Sequence, residues 1–353
     1  MLISGLQKLT LLDYPGTVAC TVFTGGCNFR CPFCHNSALV LPELIDKNDQ
    51  TEKVLRFLER RVGVLDGLAV TGGEPLLHTQ LKEILEYIDQ HPEYTFSFVT
   101  NGTVHNEAFF AAAQKDPTRF RVQISLDGSS DAINSLTRGS GSFNRTLSFI
   151  KRLRSLSLVP SIKMVISQNN LSDVEPFFHL AVSLGCPPIY DFVACNGNAS
   201  DDWDSIGLKP QQKIQVLKLL DRLNQEYPDY ATELPRTGTT CALADPANPA
   251  AALIRTDGTI FPCQMLYADA HACGNILTDS AEIITAKIQT LQQLAIARLS
   301  QDYNCKRCPL QHGCARGCFA NAYYLCGDAL GDDGNCQTRK LEFFDFDLKR
   351  MNL

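Results

Sequence analysis

The chain has 353 residues, of which 44% are hydrophobic and 20% are charged, a balance typical of a globular protein with a substantial core. Its formal net charge of -6 offers no basic surface for a nucleic-acid backbone. No apolar run approaches the roughly 20 residues that a membrane helix needs, and the first residues lack the layout of a signal peptide. We therefore expect a cytoplasmic protein that acts on neither nucleic acid nor a membrane.

From residue 18 to about 195, short β-rich apolar runs alternate with longer stretches of helical period. The predicted strands cover residues 18–24, 67–73, 95–101, 121–127, 160–167 and 189–195. The amphipathic stretches between them cover residues 51–62, 79–90, 106–115, 145–156 and 171–185. Repeated β-α units of this kind predict an α/β fold with a parallel sheet, here a partial (β/α)6 barrel because six strands emerge and not eight.

Polar and apolar residues alternate in the fourth predicted strand, where Gln123, Ser125 and Asp127 share one parity. We expect helices to cover the apolar parity and the polar parity to face inward. In barrel-like α/β folds the ligand site lies at the carboxyl ends of the strands. Five predicted strand ends carry candidate ligand residues there: the 27–34 loop, Gly72-Gly73-Glu74, Asn101, Asp127 and Asn196-Gly197.

The segment GGCNFRCPFCHN, residues 25–36, places Cys27, Cys31 and Cys34 within eight positions. A reducing cytosol disfavours disulfides among the fifteen cysteines of the chain, so metal binding is the better explanation. The spacing alone is compatible with an iron–sulfur cluster, with zinc if His35 is a fourth ligand, or with a redox-active Cys31–Cys34 pair. Three thiolates on a four-iron cluster would leave one iron open for a small chelating ligand.

This loop follows the first predicted strand, has the spacing Cys-x3-Cys-x2-Cys, and resembles the radical S-adenosylmethionine (AdoMet) superfamily over residues 18 to 200. The resemblance implies a [4Fe-4S] cluster on Cys27, Cys31 and Cys34 that cleaves AdoMet to a 5′-deoxyadenosyl radical, which abstracts hydrogen from substrate. Glu74 would hold the AdoMet amino group, and Arg138 would pair with its carboxylate. The implied AdoMet contacts are Phe33, Gly72, Gly73, Glu74, Asn101, Ser125, Asp127, Arg138, Val193 and Ala194.

After Gly197 the alternation stops, residues 209–227 predict a bridging helix, and a small cysteine-rich region follows. Alone, the cysteines from 305 to 318 could equally form a zinc site. Behind a radical AdoMet core, the late cysteines resemble the SPASM extension, which binds two auxiliary iron–sulfur clusters. The resemblance implies an outer cluster on Cys305, Cys308, Cys314 and Cys336 and an inner cluster on Cys241, Cys263 and Cys318. Three [4Fe-4S] clusters are therefore expected.

The inner set has three cysteines, so we expect substrate or a further ligand such as Asp245 or Cys273 to complete it. The four remaining cysteines, at positions 20, 186, 195 and 326, are predicted to be buried and to behave as small apolar residues. The predicted domains are a core over residues 1–200, a bridging helix within 201–235, a SPASM-like domain over 236–340 and a tail over 341–353.

The resemblance leaves three functions open. The first is modification of a peptide or protein, as in ribosomal peptide maturation by thioether formation, carbon–carbon crosslinking or epimerisation. The second is an activase that installs a glycyl radical on a partner enzyme of the anaerobic ribonucleotide reductase type. GLQKLTLLDYPG, residues 5–16, resembles the opening of such activases, although these usually lack the late cysteines. The third is a small-molecule dehydrogenase or epimerase.

Two features narrow the first function. Sulfatase-maturing relatives carry an aspartate base after the second SPASM cysteine, whereas Cys263 is followed by Gln264, which cannot act as a base, so formylglycine formation is disfavoured. Only 26 residues precede Cys27, too few for a leader-recognition domain, so we expect a separate recognition protein or direct docking. The expected electron donor is a low-potential protein such as flavodoxin or ferredoxin.

Four side chains near the strand ends are expected to face the inner cavity and are candidate donors of a proton or hydrogen atom: Lys163, Asp191, Tyr190 and Cys195. Parity does not choose among them. Lys163 and Asp191 could equally form an ion pair inside the barrel, which is the commoner situation for buried charges.

Overall fold

The computed structural model describes residues 3–10, 14, 16–34, 36–41, 43, 50–235, 241, 243, 253–255, 257–263, 265–266, 268–301, 303–314 and 316–347. The chain divides into two compact units. Unit 1 comprises residues 1–191 and 220–233, and unit 2 comprises residues 192–219 and 234–353. None of the helices described is long and apolar enough to cross a bilayer.

The larger sheet has seven strands in chain order, β1 to β7. They are β1 (Ile3–Thr10), β2 (Ala19–Thr24), β3 (Gly67–Gly72), β4 (Thr95–Thr100), β5 (Phe120–Ser125), β6 (Ser161–Ile166) and β7 (Pro188–Phe192). Neighbouring strands from β2 to β6 pair in parallel, as repeated β-α units require. The six predicted strands are confirmed as β2 to β7, and so is the α/β fold class.

The prediction of six strands missed β1, which pairs antiparallel with β2 at the edge of the sheet. Its sequence ISGLQKLT has no clear two-residue period of apolar residues. In the structure, only its first and last residues are buried. Its pairing also shifts register twice, between Ile3 and Gly5 and between Gln7 and Thr10. An edge strand with one buried side and irregular pairing carries too little apolar pattern to be recognised from sequence.

The helices that accompany this sheet are α1 (Ser37–Val40), α2 (Thr51–Glu59), α3 (Leu81–Asp89), α4 (Glu107–Lys115), α5 (Asp131–Arg138), α6 (Ser142–Ser155) and α7 (Val174–Leu184). Five of them, α2, α3, α4, α6 and α7, fall on the predicted amphipathic stretches. The prediction missed α5, which begins after Ser130, whose hydroxyl accepts from the Ile133 N–H. This cap places Arg138 in the last turn of α5, near the strand ends.

The helix-covered face of the sheet is apolar and aromatic. The ring centroids of Phe98 in β4 and Phe109 in α4 are 5.2 Å apart. The Phe109 ring also stacks on that of Phe149 in α6, with the centroids 6.2 Å apart. In β5, Val122 and Ile124 are buried, whereas Gln123 and Ser125 are half-buried and Arg121 is exposed. The expectation that helices cover the apolar parity is confirmed for this strand, and the polar parity lies on the other face.

Unit 2 contains a three-stranded sheet in the order β10 (Gly274–Asn275), β9 (Thr259–Phe261), β8 (Leu253–Ile254). Its further helices are α8 (Trp203–Ile206), α10 (Ala281–Gln301), α11 (Tyr303–Lys306), α12 (Gln311–Cys314), α13 (Phe319–Cys326) and α14 (Cys336–Leu341). A π-helical turn over Glu342–Asp347 follows α14. The predicted bridging helix is α9 (Pro210–Glu226), whose residues are divided between the two units.

Arg119 holds the end of α3 to the start of β5, so its removal is expected to destabilise unit 1. Its guanidinium donates to the carbonyls of Tyr94, Ile88 and His91 at 2.7 to 3.0 Å. Substituting Arg119→Ala removes three charge-assisted hydrogen bonds and should lower the free energy of unfolding by about 3 kcal/mol in urea denaturation. The control Lys115→Ala removes only an exposed ion pair with Asp89 and should change it by less than about 1 kcal/mol. Equal effects of the two substitutions would contradict this role for Arg119.

Candidate active site

The loop that carries the three cysteines is held by the loop after β3. The Gly73 N–H donates to the Thr24 carbonyl at 2.7 Å, and the Glu74 N–H donates to the Gly26 carbonyl at 2.8 Å. A Cβ atom on Gly73 would lie 1.9 Å from the Gly26 oxygen, and one on Gly72, whose φ is 108°, would lie 2.6 Å from the Thr24 oxygen. Glycine is therefore required at both positions for the two backbones to meet just before the first cysteine.

Glu74 is a buried carboxylate, 1% exposed, at the junction of three segments. Its Oε1 accepts from Thr100 Oγ1 at 2.6 Å and from the Leu76 N–H at 3.1 Å, and its Oε2 accepts from the Asn101 N–H at 2.7 Å. Burial raises the pKa of Glu74, and these three donors oppose that effect. A carboxylate has about four acceptor positions, so Oε2 keeps capacity for one more donor, such as an ammonium group.

Sequence reasoning missed two residues, Asn28 and Thr103, that fix the cysteine loop to the end of β4. The Asn101 amide donates to Asn28 Oδ1 at 2.8 Å and accepts from Thr103 Oγ1 at 2.6 Å. The Asn28 amide closes the network by donating to Thr103 Oγ1 at 3.0 Å. The residue after Cys27 is thus immobilised by a side chain that is 73 positions away. No local pattern could have indicated this pair.

Cys27, Cys31 and Cys34 are half-buried and share one electrostatic environment. Burial raises the pKa of all three thiols, that of Cys31 to about 11, and the charges of neighbouring thiolates raise those of Cys27 and Cys31 further. The Arg138 guanidinium opposes this in each case. The Phe29 N–H donates to Cys27 Sγ at 3.3 Å, and Arg138 Nη1 lies 3.9 Å from Cys31 Sγ. These donors favour the thiolate form, which is the form that binds metal.

Two of the kinds of metal site considered for this loop stay predictions. Among the residues that the structure describes, no three His, Cys, Asp or Glu side chains form a group that could hold a single metal ion. His35, the fourth zinc ligand considered, lies outside the described residues.

Arg138 and Asp127 form a buried ion pair beside this loop, with side chains 8% and 0% exposed. Asp127 also accepts from the Val165 N–H at 3.0 Å and from Thr137 Oγ1 at 3.1 Å, so it ties β6 to α5. Arg138 Nε lies 2.5 Å from Asp127 Oδ2, so the aspartate holds the guanidinium beside the cysteine loop. A buried guanidinium next to three thiols fits a ligand that carries a carboxylate, such as AdoMet.

The other residues predicted to contact AdoMet lie in two places. Phe33 is half-buried on the cysteine loop, and Ser125 is half-buried on the inner parity of β5. Val193 and Ala194 follow β7 and belong to unit 2, as does the buried Cys195. Burial raises the pKa of the Cys195 thiol to about 11, so this thiol is neutral near pH 7.

The candidate donors on β6 and β7 fall on different faces of the sheet. Lys163 and Asp191 form an ion pair with Nζ and Oδ2 2.5 Å apart, one of the two arrangements considered for them. Tyr190 is 2% exposed, its hydroxyl donates to the Val174 carbonyl, and its ring contacts Phe177 of α7 at 5.7 Å. The expectation that Tyr190 faces the inner cavity is therefore wrong, because the residue packs on the helix-covered face.

In unit 2, the inner set of cysteines, Cys241, Cys263 and Cys318, packs around one small core. That core consists of Leu243, Leu266, Phe319 and Ala320. Burial raises the pKa of Cys318 to about 11, and the charges of Cys241 and Cys263 raise it further. The three cysteines span 77 positions of the sequence and are nevertheless neighbours. An inner cluster needs this grouping.

The predicted completion of the inner set has less support. Cys273 is buried and its thiol donates to the His271 carbonyl at 3.6 Å. Burial raises the pKa of Cys273, and the charge of Lys287 opposes this effect. The three inner cysteines are not among the groups that act on this pKa. Asp245 and Gln264 lie outside the described residues, so their predicted roles stay predictions.

A second buried ion pair, Asp333 with Arg339, organises the outer group of cysteines. Arg339 Nη1 and Nη2 donate to the two oxygens of Asp333 at 2.7 and 2.8 Å. Asp333 also accepts from the Cys318 N–H at 3.0 Å. Burial lowers the pKa of Arg339, but Asp333 and the charge of Cys314 outweigh that effect and raise it. Cys314 in turn acts on the pKa of Cys336. Sequence reasoning missed this pair, which connects an inner cysteine to two outer ones.

The remaining late cysteines include one correction. Cys305 and Cys308 share a turn, in which the Cys308 N–H donates to the Cys305 carbonyl at 3.1 Å. Cys326 was expected to be buried, as Cys20, Cys186 and Cys195 are, but it is exposed. It lies in the last turn of α13, where its thiol donates to the Ala322 carbonyl at 3.0 Å and so needs no apolar surroundings.

Comparison with known proteins finds similarity over the part of the chain that contains the three-cysteine loop. Residues 21–181 match the Radical SAM superfamily. The mycofactocin maturase MftC of Mycolicibacterium smegmatis (strain ATCC 700084 / mc(2)155) is 25% identical over 323 residues, which cover 89% of this chain and 80% of that protein.

Two solved structures are also similar. Native anSMEcpe with bound AdoMet aligns with a TM-score of 0.66 and 20% identity over 93% of this chain and 96% of that one. SuiB of Streptococcus suis, bound to the precursor peptide SuiA, aligns with a TM-score of 0.62 and 14% identity. The alignment covers 89% of this chain and 74% of SuiB.

The matched segment begins in β2, ends in α7, and contains the three-cysteine loop, Glu74, Asp127 and Arg138. The structural similarity extends over about nine-tenths of the chain, so it includes the cysteine-rich unit 2 as well. A three-cysteine loop, a parallel sheet and a cysteine-rich region thus occur in one polypeptide. Residues 21–181 form a radical SAM domain, and the chain is similar over most of its length to the maturase MftC.

Proposed function

We propose that the enzyme abstracts a hydrogen atom from a peptide or protein substrate, as in the maturation of ribosomal peptides. The observation that carries the proposal is the three-thiol loop next to the buried Arg138, within a chain that also has the late cysteines. Its relative MftC is a maturase, and SuiB, with a similar fold, was captured with a precursor peptide. Thioether formation, carbon–carbon crosslinking and epimerisation all begin with such an abstraction.

In this proposal, residues of unit 1 hold the cofactors. Cys27, Cys31 and Cys34 would bind a [4Fe-4S] cluster, Arg138 would pair with the AdoMet carboxylate, and Glu74 Oε2 would accept from its amino group. When bound, the cluster and AdoMet supply the electron and the carbon radical that remove hydrogen from substrate. Lys163 is the register partner of Ser125 and shares its parity, so the Lys163–Asp191 pair is positioned to hold or transfer a proton on that face.

The late cysteines would bind two auxiliary [4Fe-4S] clusters. Cys241, Cys263 and Cys318 would hold the inner cluster. The outer cluster would be held by Cys305, Cys308, Cys314 and Cys336. Grouping of the inner thiols and the electrostatic interaction of Arg339 with Cys314 support this assignment. A flavodoxin or ferredoxin would supply low-potential electrons, and a separate leader-recognition protein could present the peptide.

A glycyl-radical activase is the second candidate, favoured by the resemblance of residues 5–16 to the opening of such activases. That segment includes most of β1, so its similarity is also explained by a structural role at the sheet edge. The late cysteines favour peptide modification over this alternative.

The first prediction from the proposed function concerns the cysteine loop. Cys31→Ala should abolish AdoMet cleavage by the reconstituted enzyme with dithionite, measured as 5′-deoxyadenosine, because two thiolates hold a four-iron cluster poorly. Cys186→Ala, at a fully buried thiol of the same unit, is the matched control and should retain cleavage. Full cleavage by the Cys31 variant would show that the loop does not bind the cluster.

The second prediction concerns the number of clusters. Anaerobic reconstitution should give about 12 iron atoms per chain, and Cys263→Ala should reduce this to about 8 if each cluster has four irons. The loop cluster should survive this change, so that dithionite-driven AdoMet cleavage continues. Zinc in place of iron, or full iron content in the variant, would overturn the auxiliary assignment.

The third prediction tests the substrate class. The enzyme, with AdoMet and dithionite, should modify a short peptide encoded beside its gene. The peptide should lose two hydrogens on crosslinking, or take up deuterium from deuterated buffer on epimerisation, as measured by mass spectrometry. In a parallel reaction, a glycyl-radical enzyme replaces the peptide as the substrate. A glycyl radical on that enzyme would be detected by electron paramagnetic resonance. AdoMet cleavage that leaves the peptide unchanged and yields a glycyl radical would replace the proposal with the activase.

A further inference from the structure

Unit 2 contains a cavity of about 180 Å³, whose lining includes Val193, Ala194 and Cys195 together with residues to which the site described above gives no role. Its apolar wall is formed by Phe192, Trp203, Leu208 and Leu325. Its polar lining is formed by Lys213, Asn321 and Asn335. A volume of this size holds a group as large as one amino-acid side chain and no more. The cavity is therefore suited to one small chemical group with an apolar stem and a polar end.

Among the described residues that line the cavity, Lys213 is the only lysine or arginine, and it is 5% exposed. Its Nζ donates to Asn335 Oδ1 at 2.8 Å and lies 5.6 Å from the centroid of the Phe192 ring. An ammonium group has three donors, and in the part of the chain that the structure describes, no carboxylate lies within ion-pair distance of this one. A buried cation with one hydrogen bond is costly unless a ligand supplies further acceptors.

The charges around Lys213 do not neutralise it directly. Asp333 also lines the cavity, but its two oxygens are occupied by Arg339 and by the N–H groups of Cys318 and Asn335. Glu342 and Arg339 act on Lys213 with opposite signs. Burial lowers the pKa of Lys213 to about 8, which shows that these surroundings do not replace the water that the ammonium has lost.

We propose that this cavity binds a carboxylate, held by the Lys213 ammonium and the Asn335 and Asn321 amides. The apolar wall would pack against the methylene groups that carry it. The carboxylate would belong to the peptide substrate, as an acidic side chain or as a C-terminus, and only this last step rests on the proposed function. A phosphate is a poorer match, because most of its oxygens would face the apolar wall.

Trp203 provides a direct measurement, because it is the only tryptophan of the chain and lines the cavity. Its fluorescence, together with calorimetry, can follow titration of the full chain with three probes in the absence of AdoMet and reductant. N-acetylglutamate α-methylamide offers a side-chain carboxylate, and N-acetylleucine offers a C-terminal carboxylate. N-acetylglutamine methylamide is the uncharged control. One of the two carboxylates should bind at least tenfold more tightly than the control, and the identity of that carboxylate distinguishes the two sources.

Two lysines of α9 give a matched pair of variants. Lys213→Met keeps the length and removes the charge, and it should weaken carboxylate binding at least tenfold. Lys218→Met changes an exposed lysine of the same helix and should leave binding unchanged. Loss of binding in both variants, or in neither, would overturn the proposal, as would carboxylates that bind no better than the uncharged control.

A pH titration of the unaltered chain provides a second measurement that does not depend on how the variants fold. Affinity for the carboxylate should fall between pH 7 and pH 9.5, as Lys213 loses its proton above a pKa of about 8. The other charged groups that face it, Asp333, Arg339 and Glu342, keep their charge over this range. A constant affinity would overturn the assignment to Lys213. A chain that binds the carboxylate but modifies no peptide would contradict the proposed function and leave the cavity assignment intact.

Discussion

The close approach of two backbones, at Gly73 and Gly26, is the constraint on which the rest of the site depends. The chain after β3 touches the chain after β2 so closely that no side chain fits between them. This contact sets where the cysteine loop begins, and it also directs Glu74 inward, where its carboxylate accepts from the end of β4. Three consecutive parallel strands are thus connected at their carboxyl ends by hydrogen bonds. A loop that must hold a cluster needs such a fixed base, because loops are otherwise mobile.

Each unit uses a buried Asp–Arg pair beside its cysteines. Asp127 with Arg138 lies next to Cys31, and Asp333 with Arg339 lies next to Cys314. Removing one partner of such a pair leaves an uncompensated buried charge and typically costs about 3–5 kcal/mol. The arginine is therefore retained by its aspartate and is available to donate to sulfur. A cation fixed next to thiolates lowers their pKa and offsets the negative charge that a thiolate-bound cluster would add.

Much of the fold could be predicted from sequence, because buried strands and amphipathic helices leave strong periodic patterns. β2 to β7 and α2, α3, α4, α6 and α7 all fall on such patterns. β1 and α5 do not, because one is an irregular edge strand and the other is a short helix defined by its Ser130 cap. The grouping of Cys241 with Cys263 and Cys318 was expected from resemblance. For the cysteines from 305 to 318, spacing alone left a zinc site equally possible. Asn28, Thr103 and the Asp333–Arg339 pair gave no local signal.

The sequence by itself determined which chemical groups the protein carries and in what order: three thiols on one loop, a Gly-Gly-Glu turn, and nine cysteines after residue 240. These are local features, fixed by covalent spacing. Only the tertiary structure decided which polar side chains meet and which face of the sheet each residue occupies. Tyr190 packs against α7, Lys163 pairs with Asp191, and Lys213 is enclosed beside Asn335, 122 positions away. Such contacts depend on burial and on distances between remote segments, because the free energy of a charge is set by the neighbours that replace its water.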